Sequence, residues 1–184
     1  MRRQTLRSAA SRGAALVPII LFLSLVLSGC TPQQFTNASG YQEISVSGIR
    51  LQWKVVNDSL EVILSAPTAG WVAVGFDPTS IMKDANFVIG YVSSGVVTIR
   101  DDYGDSVTSH RADTSDGGTD DVSDASGTES GGTTELSFTI PLDSGDSHDR
   151  PLTPGQTHKV LLAYSNTEDL TQKHTVRAKV SVIL

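Results

Sequence analysis

Hydrophobic and polar residues alternate along much of the chain after residue 40. Ile44 and Val46 alternate with polar residues, and Leu136, Phe138 and Ile140 recur at every second position. Because successive side chains of a β-strand point to opposite faces, a period of two predicts strands with one buried face. The segments predicted as strands are residues 42–47, 51–56, 60–64, 71–76, 86–92, 96–103, 135–142, 157–164 and 175–184.

Turn-forming residues separate these segments. Asn-Asp-Ser at 57–59 and Ser-Ser-Gly at 93–95 are typical of tight hairpin connections. Turn signals recur every ~8–12 residues, as expected of sandwiches and barrels, and no segment has a convincing helical period. We therefore predict an all-β fold, a β-sandwich of about nine strands, formed by residues 41–184.

One stretch departs from this pattern. Residues 105–132 are rich in Ser, Thr, Gly and Asp and have almost no large apolar side chains. Such a composition cannot bury enough surface to offset the entropy of ordering, so it predicts a long exposed loop.

This predicted loop is also acidic. It contains carboxylates that could bind Ca²⁺, although their spacing does not match an EF-hand loop. A solvated acidic loop is the alternative interpretation. The acidic side chains are Asp113, Asp116, Asp120, Asp121, Asp124 and Glu129, with no basic residue between the first and the last.

A second irregular segment, residues 77–85 (DPTSIMKDA), lies between two predicted strands. Pro78 is incompatible with central strand pairing, because it has no backbone N–H to donate. Ile81 and Met82 are nevertheless apolar. An apolar pair in a loop is expected to pack back onto the fold, where it either covers one end of the sandwich or faces a ligand.

The N-terminus resembles an export signal. Residues 1–29 carry four arginines and no acid, followed by an apolar run that ends at Cys30. The residues LSGC resemble a lipobox, with small Ser28 and Gly29 before a thiol that would accept diacylglycerol. We therefore expect a lipoprotein signal peptide at 1–29, lipidation at Cys30 and a polar tether at 30–40. An uncleaved signal anchor is the alternative. Arg2-Arg3 leaves twin-arginine and general export both open.

These features predict a cell-envelope protein outside the cytoplasm, held at a membrane by lipid. Cys30 is the single cysteine, so its lipidation leaves no thiol for a disulfide. The chain has a net charge of −6, and loss of the four arginines would leave about −10. Such acidity disfavours nucleic-acid binding.

The remaining motifs exclude several kinds of chemistry. There is no G-x-S-x-G sequence, no C-x-x-C-H sequence and no Gly-rich phosphate loop. The histidines, His110, His148, His158 and His174, are scattered without metal-site spacing. Met82 and His174 could ligate a haem non-covalently from two loops. On these residues alone, a gap-filling Met and a solvated His remain the alternatives.

A longer pattern resembles a known family. Residues 70–92 (GWVAVGFDPTSIMKDANFVIGYV) and 97–104 (VTIRDDYG) are similar to the core of the DOMON domain. The segments ELSFTIPL (135–142) and HKVLLAYS (158–165), then His174, follow in family order. The resemblance implies an immunoglobulin-like β-sandwich.

The same family includes the cytochrome domain of cellobiose dehydrogenase and related b-type cytochromes. Their axial haem ligands correspond here to Met82 and His174, which implies non-covalent haem b. Some members use Lys in place of the His, so Lys173 stays open, and His158 is a weaker substitute. The chain also lacks the Gly that follows the His in many members.

The resemblance implies one-electron transfer with a redox partner protein in the envelope, rather than an enzyme. Two protein ligands would leave the iron no open position, and a thioether ligand would raise its potential. An acidic surface would attract a basic partner. The alternative is a non-haem module that binds a sugar or another small ligand. Candidates for lining the pocket are Trp71, Phe76, Ile81, Phe87 and Tyr91, of which strand alternation allows about half to face it.

Overall fold

The computed structural model describes residues 32–184. The expected signal peptide, Cys30 and the first tether residues lie outside the described residues. Within 32–184, no helix is long and apolar enough to cross a membrane.

Residues 32–184 form twelve strands in two antiparallel sheets of six. The strands are β1 (Phe35–Thr36), β2 (Gln42–Val46), β3 (Ile49–Val56), β4 (Ser59–Ala66), β5 (Val72–Phe76), β6 (Asn86–Ser93), β7 (Val96–Tyr103), β8 (Arg111–Ala112), β9 (Ser123–Ser130), β10 (Thr133–Pro141), β11 (Thr157–Tyr164) and β12 (Val176–Ile183). The first sheet has the order β1-β2-β3-β4-β10-β9, and the second has the order β12-β11-β5-β6-β7-β8.

The core lies between the two sheets. In β4 the buried positions alternate strictly, and β10 aligns its own buried positions with them, so that Leu136 pairs with Leu64 and Phe138 with Val62. From the second sheet, Val74 and Phe76 of β5 join the same apolar cluster. The fold is therefore the all-β sandwich that the alternation predicted.

Each of the nine predicted strands is present, and three further strands are added. β1 and β8 have two residues each, and the third, β9, is an exposed edge strand of small and polar residues. β9 buries neither face, so its sequence shows no hydrophobic alternation. It is held in the sheet by backbone pairing with β10.

The prediction of a loop at 105–132 is therefore wrong for residues 123–130, which form β9. The same stretch also contains β8 and a 3-10 turn at Asp113–Asp116. Residues 34–36 of the polar tether expected at 30–40 are likewise part of the fold. β1 pairs with β2, and Gln34 exchanges hydrogen bonds with the backbone of Ile183 near the C-terminus.

Candidate functional site

A cavity of about 540 Å³ lies against the outer face of the second sheet. Its floor includes Ala73 of β5, Ile89 of β6 and Ala163 of β11. These residues are neighbours across the sheet, since Ala73 pairs with both Ile89 and Ala163. Two alanines in the middle of the sheet leave space above them, so the face is concave rather than filled.

The floor continues at Phe87, whose ring lies directly over Gly75 of the neighbouring strand. A Cβ at Gly75 would lie 2.3 Å from Cε1 of that ring, so any side chain there would displace it. The Phe87 ring also contacts His110, with ring centroids 5.7 Å apart and a tilt of 43°. The absence of a side chain at Gly75 in β5 therefore makes room for the Phe87 ring on the floor of the cavity.

The irregular segment 77–85 carries Met82 into the cavity wall. Lys83 N–H donates to Ser80 O (2.8 Å), and Ala85 N–H donates to Met82 O (3.1 Å), which closes the segment into a tight loop. Ile81 has φ +54°, a left-handed conformation that is rare for a β-branched residue and that tends to occur at ligand sites. Ile81 is 58% exposed yet also lines the cavity. Ile81 and Met82, the apolar pair of this segment, therefore both line the cavity.

Gly104 holds this loop in place. Asp84 N–H donates to Gly104 O (2.8 Å), and Gly104 N–H donates to Ala85 O (2.9 Å). A Cβ at Gly104 would lie 1.8 Å from Met82 O, so only glycine permits this approach. The position of the Met82 backbone therefore depends on a residue that does not line the cavity.

His174 reaches the same cavity from the segment that precedes β12. Leu170, Gln172 and Lys173 of that segment also line it. The pKa of His174 is lowered by partial burial and then by the positive charge of Arg177. A lowered pKa favours the neutral imidazole, which is the form that binds metals.

Asp102 fixes two further side chains of the cavity, His110 and Arg100. The carboxylate is fully buried and pairs with the Arg100 guanidinium, with one Nη2–Oδ2 distance of 2.6 Å, and with His110 Nδ1. Burial alone would raise the pKa of Asp102, but the hydrogen bonds from His110 and Arg100 hold it below its usual value. His110 was not expected here, because it follows a polar stretch without any strand pattern.

The cavity wall is basic although the chain is acidic. Arg100, Lys173 and Arg177 line it, and no Asp or Glu among the described residues does so. In addition, the indole Nε1–H of Trp71 is buried and has no hydrogen-bond acceptor. The arrangement thus combines an apolar floor with cationic side chains and one free buried donor, which suits an anionic, largely apolar ligand.

The structure brings together most of the residues singled out from the sequence. Trp71, Ile81 and Phe87 line the cavity with Met82 and His174. Phe76 does not, because it has the opposite parity in β5 and packs in the core between the sheets. Tyr91 does not line the cavity either, but it packs against the cluster of Trp71, Ala73 and Ile89 at its edge.

The two substitutes considered for His174 are placed differently. Lys173 lines the cavity. His158 lies outside it and is almost fully buried, with Nδ1 2.6 Å from Asp77 Oδ2 and Nε2 3.0 Å from Thr153 O. With both ring nitrogens engaged, His158 holds the start of β11 to the segment after β5 and is not available as a ligand.

Comparison with known proteins supports the architecture. The fold is similar to the cytochrome b domain of pyranose dehydrogenase from Coprinopsis cinerea, with a TM-score of 0.59 and 13% identity, covering 83% of this chain and 87% of that one. It is also similar to the cytochrome domain of Myriococcum thermophilum cellobiose dehydrogenase, with a TM-score of 0.58 and 10% identity, covering 84% and 88%. At these identities the likeness concerns the fold alone. No curated protein sequence matched the chain.

The sequence pattern that defines the DOMON domain matches residues 45–165, from β2 to the end of β11. The match spans both sheets and includes the segment that carries Met82, and it covers well over half of the chain. This protein therefore belongs to the DOMON domain family.

Proposed function

We propose that this domain binds haem b non-covalently and carries single electrons, with Met82 and His174 as the axial ligands. The observation that carries the proposal is that these two side chains, 92 positions apart in the sequence, line one cavity. A thioether and an imidazole are a ligand pair found in electron-transfer haem proteins. The similarity of the fold to two cytochrome domains supports haem binding.

The cavity fits such a cofactor in volume and chemistry. Its volume of about 540 Å³ is in the range of small-molecule sites. The floor of Ala73, Ile89 and Phe87 suits the apolar faces of a porphyrin. Arg100, Lys173 and Arg177 would hold its carboxylates, and the free Trp71 Nε1–H could donate to one of them.

Bound haem would supply a reversible one-electron couple. Met82 and His174 would both hold the iron, and ligation by two protein side chains would favour electron transfer over chemistry with oxygen or substrate. The apolar floor would exclude water, and with the thioether it would raise the potential. On this proposal the domain is not an enzyme by itself but acts with a redox partner.

The same proposal places the domain in the cell envelope, anchored through lipid on Cys30. Support comes from the sequence of residues 1–30. The acidic net charge would attract a basic redox partner, and added salt would weaken that encounter.

Titration of the purified protein with haem, followed by absorption spectroscopy, tests the proposal. We expect one haem per chain, with Met82→Ala and His174→Ala each losing the six-coordinate spectrum. His110→Gln should keep that spectrum, and it is the matched comparison because His110 is another imidazole that lines the cavity, with Nδ1 paired to Asp102 and Nε2 still able to bind a metal. Protein that takes up no haem would contradict the proposal, and binding of a sugar by that protein would favour the second function, a non-haem binding module.

A further inference from the structure

A cluster of carboxylates lies away from the haem cavity, at the β7 edge of the sandwich. It contains Asp101 of β7, Asp113 of the 3-10 turn, and the loop residues Asp121, Asp146 and Asp149, together with His148. Donor atoms of Asp101, Asp121 and Asp149 all lie within 4.8 Å of one another, and those of Asp113, Asp146 and His148 do the same.

Two of these carboxylates are buried without hydrogen-bond partners. Asp113 is 0% exposed, and neither of its oxygens has a donor; Asp101 is 3% exposed, and its Oδ1 has none. Buried polar atoms are nearly always satisfied, and a buried charge is normally paired or bound to a metal. Three oxygens at the centre of one cluster therefore need a partner that the described residues do not provide.

Basic side chains do not fill this role. Among residues 32–184, the arginines and lysines in salt bridges pair with other acids; Arg111, for example, pairs with Asp105, and Lys83 pairs with Asp84. The nearest imidazole, His148, stacks on Tyr103 with ring centroids 4.0 Å apart, and its buried Nδ1 lies 3.7 Å from Asp146 Oδ1 without a hydrogen bond. Thus no Lys or Arg among these residues forms a salt bridge with a carboxylate of the cluster.

The two groups of three are joined through Thr119. Its hydroxyl oxygen lies 2.9 Å from Asp121 Oδ2 and 3.2 Å from Asp146 Oδ2, so one side chain contacts both groups.

Backbone N–H groups orient the carboxylates of the cluster. Asp121 N–H donates to Asp101 Oδ2 (2.8 Å), while Thr119 N–H and His148 N–H donate to the two oxygens of Asp146 (2.6 and 2.8 Å). These bonds orient the carboxylates but leave other lone pairs free. At Gly118, a Cβ would lie 2.6 Å from His148 Nδ1 and 2.7 Å from Asp146 Oδ2, so only glycine lets the backbone pack this closely on the cluster.

We propose that this cluster is a Ca²⁺ site in which Asp101, Asp121 and Asp149 bind the ion and Asp113 supplies charge from the buried side. Ca²⁺ prefers several oxygen ligands in a flexible arrangement, and mono- or bidentate carboxylates are its usual protein ligands. Two of the acids, Asp113 and Asp121, come from the acidic stretch seen in the sequence. The others come from β7 and from residues 143–149, so the ion would join three separate segments.

Calorimetry and thermal unfolding of the full chain, stripped of metal with a chelator and titrated with CaCl₂, test the proposal. We expect a saturable heat and a rise in Tm of about 5 °C or more at saturating Ca²⁺. Asp101→Asn and Asp113→Asn should each weaken binding at least ~100-fold. Neither variant should show the Ca²⁺-dependent rise in Tm.

Asp124→Asn is the matched control, since Asp124 belongs to the same acidic stretch but is exposed and outside the cluster. It should keep the wild-type response to Ca²⁺. Wild-type protein with no heat and no Tm shift at millimolar Ca²⁺ would overturn the proposal even if the variants do not fold. So would an equal Ca²⁺ response in Asp113→Asn. Binding of Zn²⁺ in place of Ca²⁺, lost in His148→Ala, would replace it with a transition-metal site.

Discussion

The close contact between Gly104 and the Met82 loop gives a prediction about a residue outside the cavity. In Gly104→Ala, the new Cβ would lie 1.8 Å from Met82 O, whereas real Cβ contacts are essentially never shorter than 3.0 Å. The Met82 backbone must therefore move by more than 1 Å. Metal–ligand distances vary by only about 0.2 Å, so a displacement of this size should break axial ligation by Met82.

The stability effect of the same substitution should be moderate. Overpacking a tight contact costs about 1–3 kcal/mol, part of which the exposed loop can relieve by moving. We expect Gly104→Ala to remain folded, to bind haem at least ~10-fold more weakly, and to resemble Met82→Ala in its absorption spectrum. The assay is haem titration together with thermal unfolding.

Gly95→Ala is the matched control for this experiment. Gly95 lies in the β6–β7 turn with φ +78°, and a Cβ added there would have no atom within 4 Å. Alanine there should cost ~1–2 kcal/mol through backbone strain alone and leave Met82 in place. Wild-type haem affinity and spectrum in Gly104→Ala would refute the reasoning. Equal loss of haem binding in both variants would show that general destabilisation, not loop displacement, is responsible.

Two further predictions concern the cavity floor and a distant ion pair. Ala73→Phe should fill the space above the sheet and abolish haem uptake while Tm falls by no more than a few degrees; unchanged haem affinity would show that the ligand does not reach Ala73. Glu43, almost fully buried on β2, accepts a hydrogen bond from Arg50 (2.6 Å) that lowers its pKa, so its contribution is present above about pH 4.5 and is lost as pH falls through the lowered pKa. Glu43→Gln should therefore lower the free energy of unfolding by ~1 kcal/mol at pH 7 but not at pH 2, as measured by urea denaturation; an equal loss at both pH values would contradict this account.

The sequence predicts the sandwich well because its central strands bury one face each. The period of two in β4 and β10 specifies both their existence and the face that packs in the core. The same parity separates Trp71 and Ala73, which face the cavity, from Phe76, which faces the core. Phe76 is thus one of the candidates that strand alternation turns away from the cavity.

The parts that the sequence does not predict depend on contacts between distant segments. β9 is held by backbone pairing with β10 and needs no apolar side chain, so its composition indicates a loop. His110 enters the cavity because Asp102, eight positions earlier, binds its ring. The aspartate cluster joins β7 to two loops that have no shared motif. In each case the deciding partner is remote or part of the backbone.

The most direct test of the central claim is a spectroelectrochemical titration of the haem-loaded protein and of Met82→His. Ligation by Met82 and His174 predicts a single one-electron wave in the wild type. In Met82→His, which replaces the thioether with a second imidazole, the potential should fall by on the order of 100 mV while haem stays bound. An unchanged potential in Met82→His would contradict the account, because it would mean that Met82 is not an axial ligand.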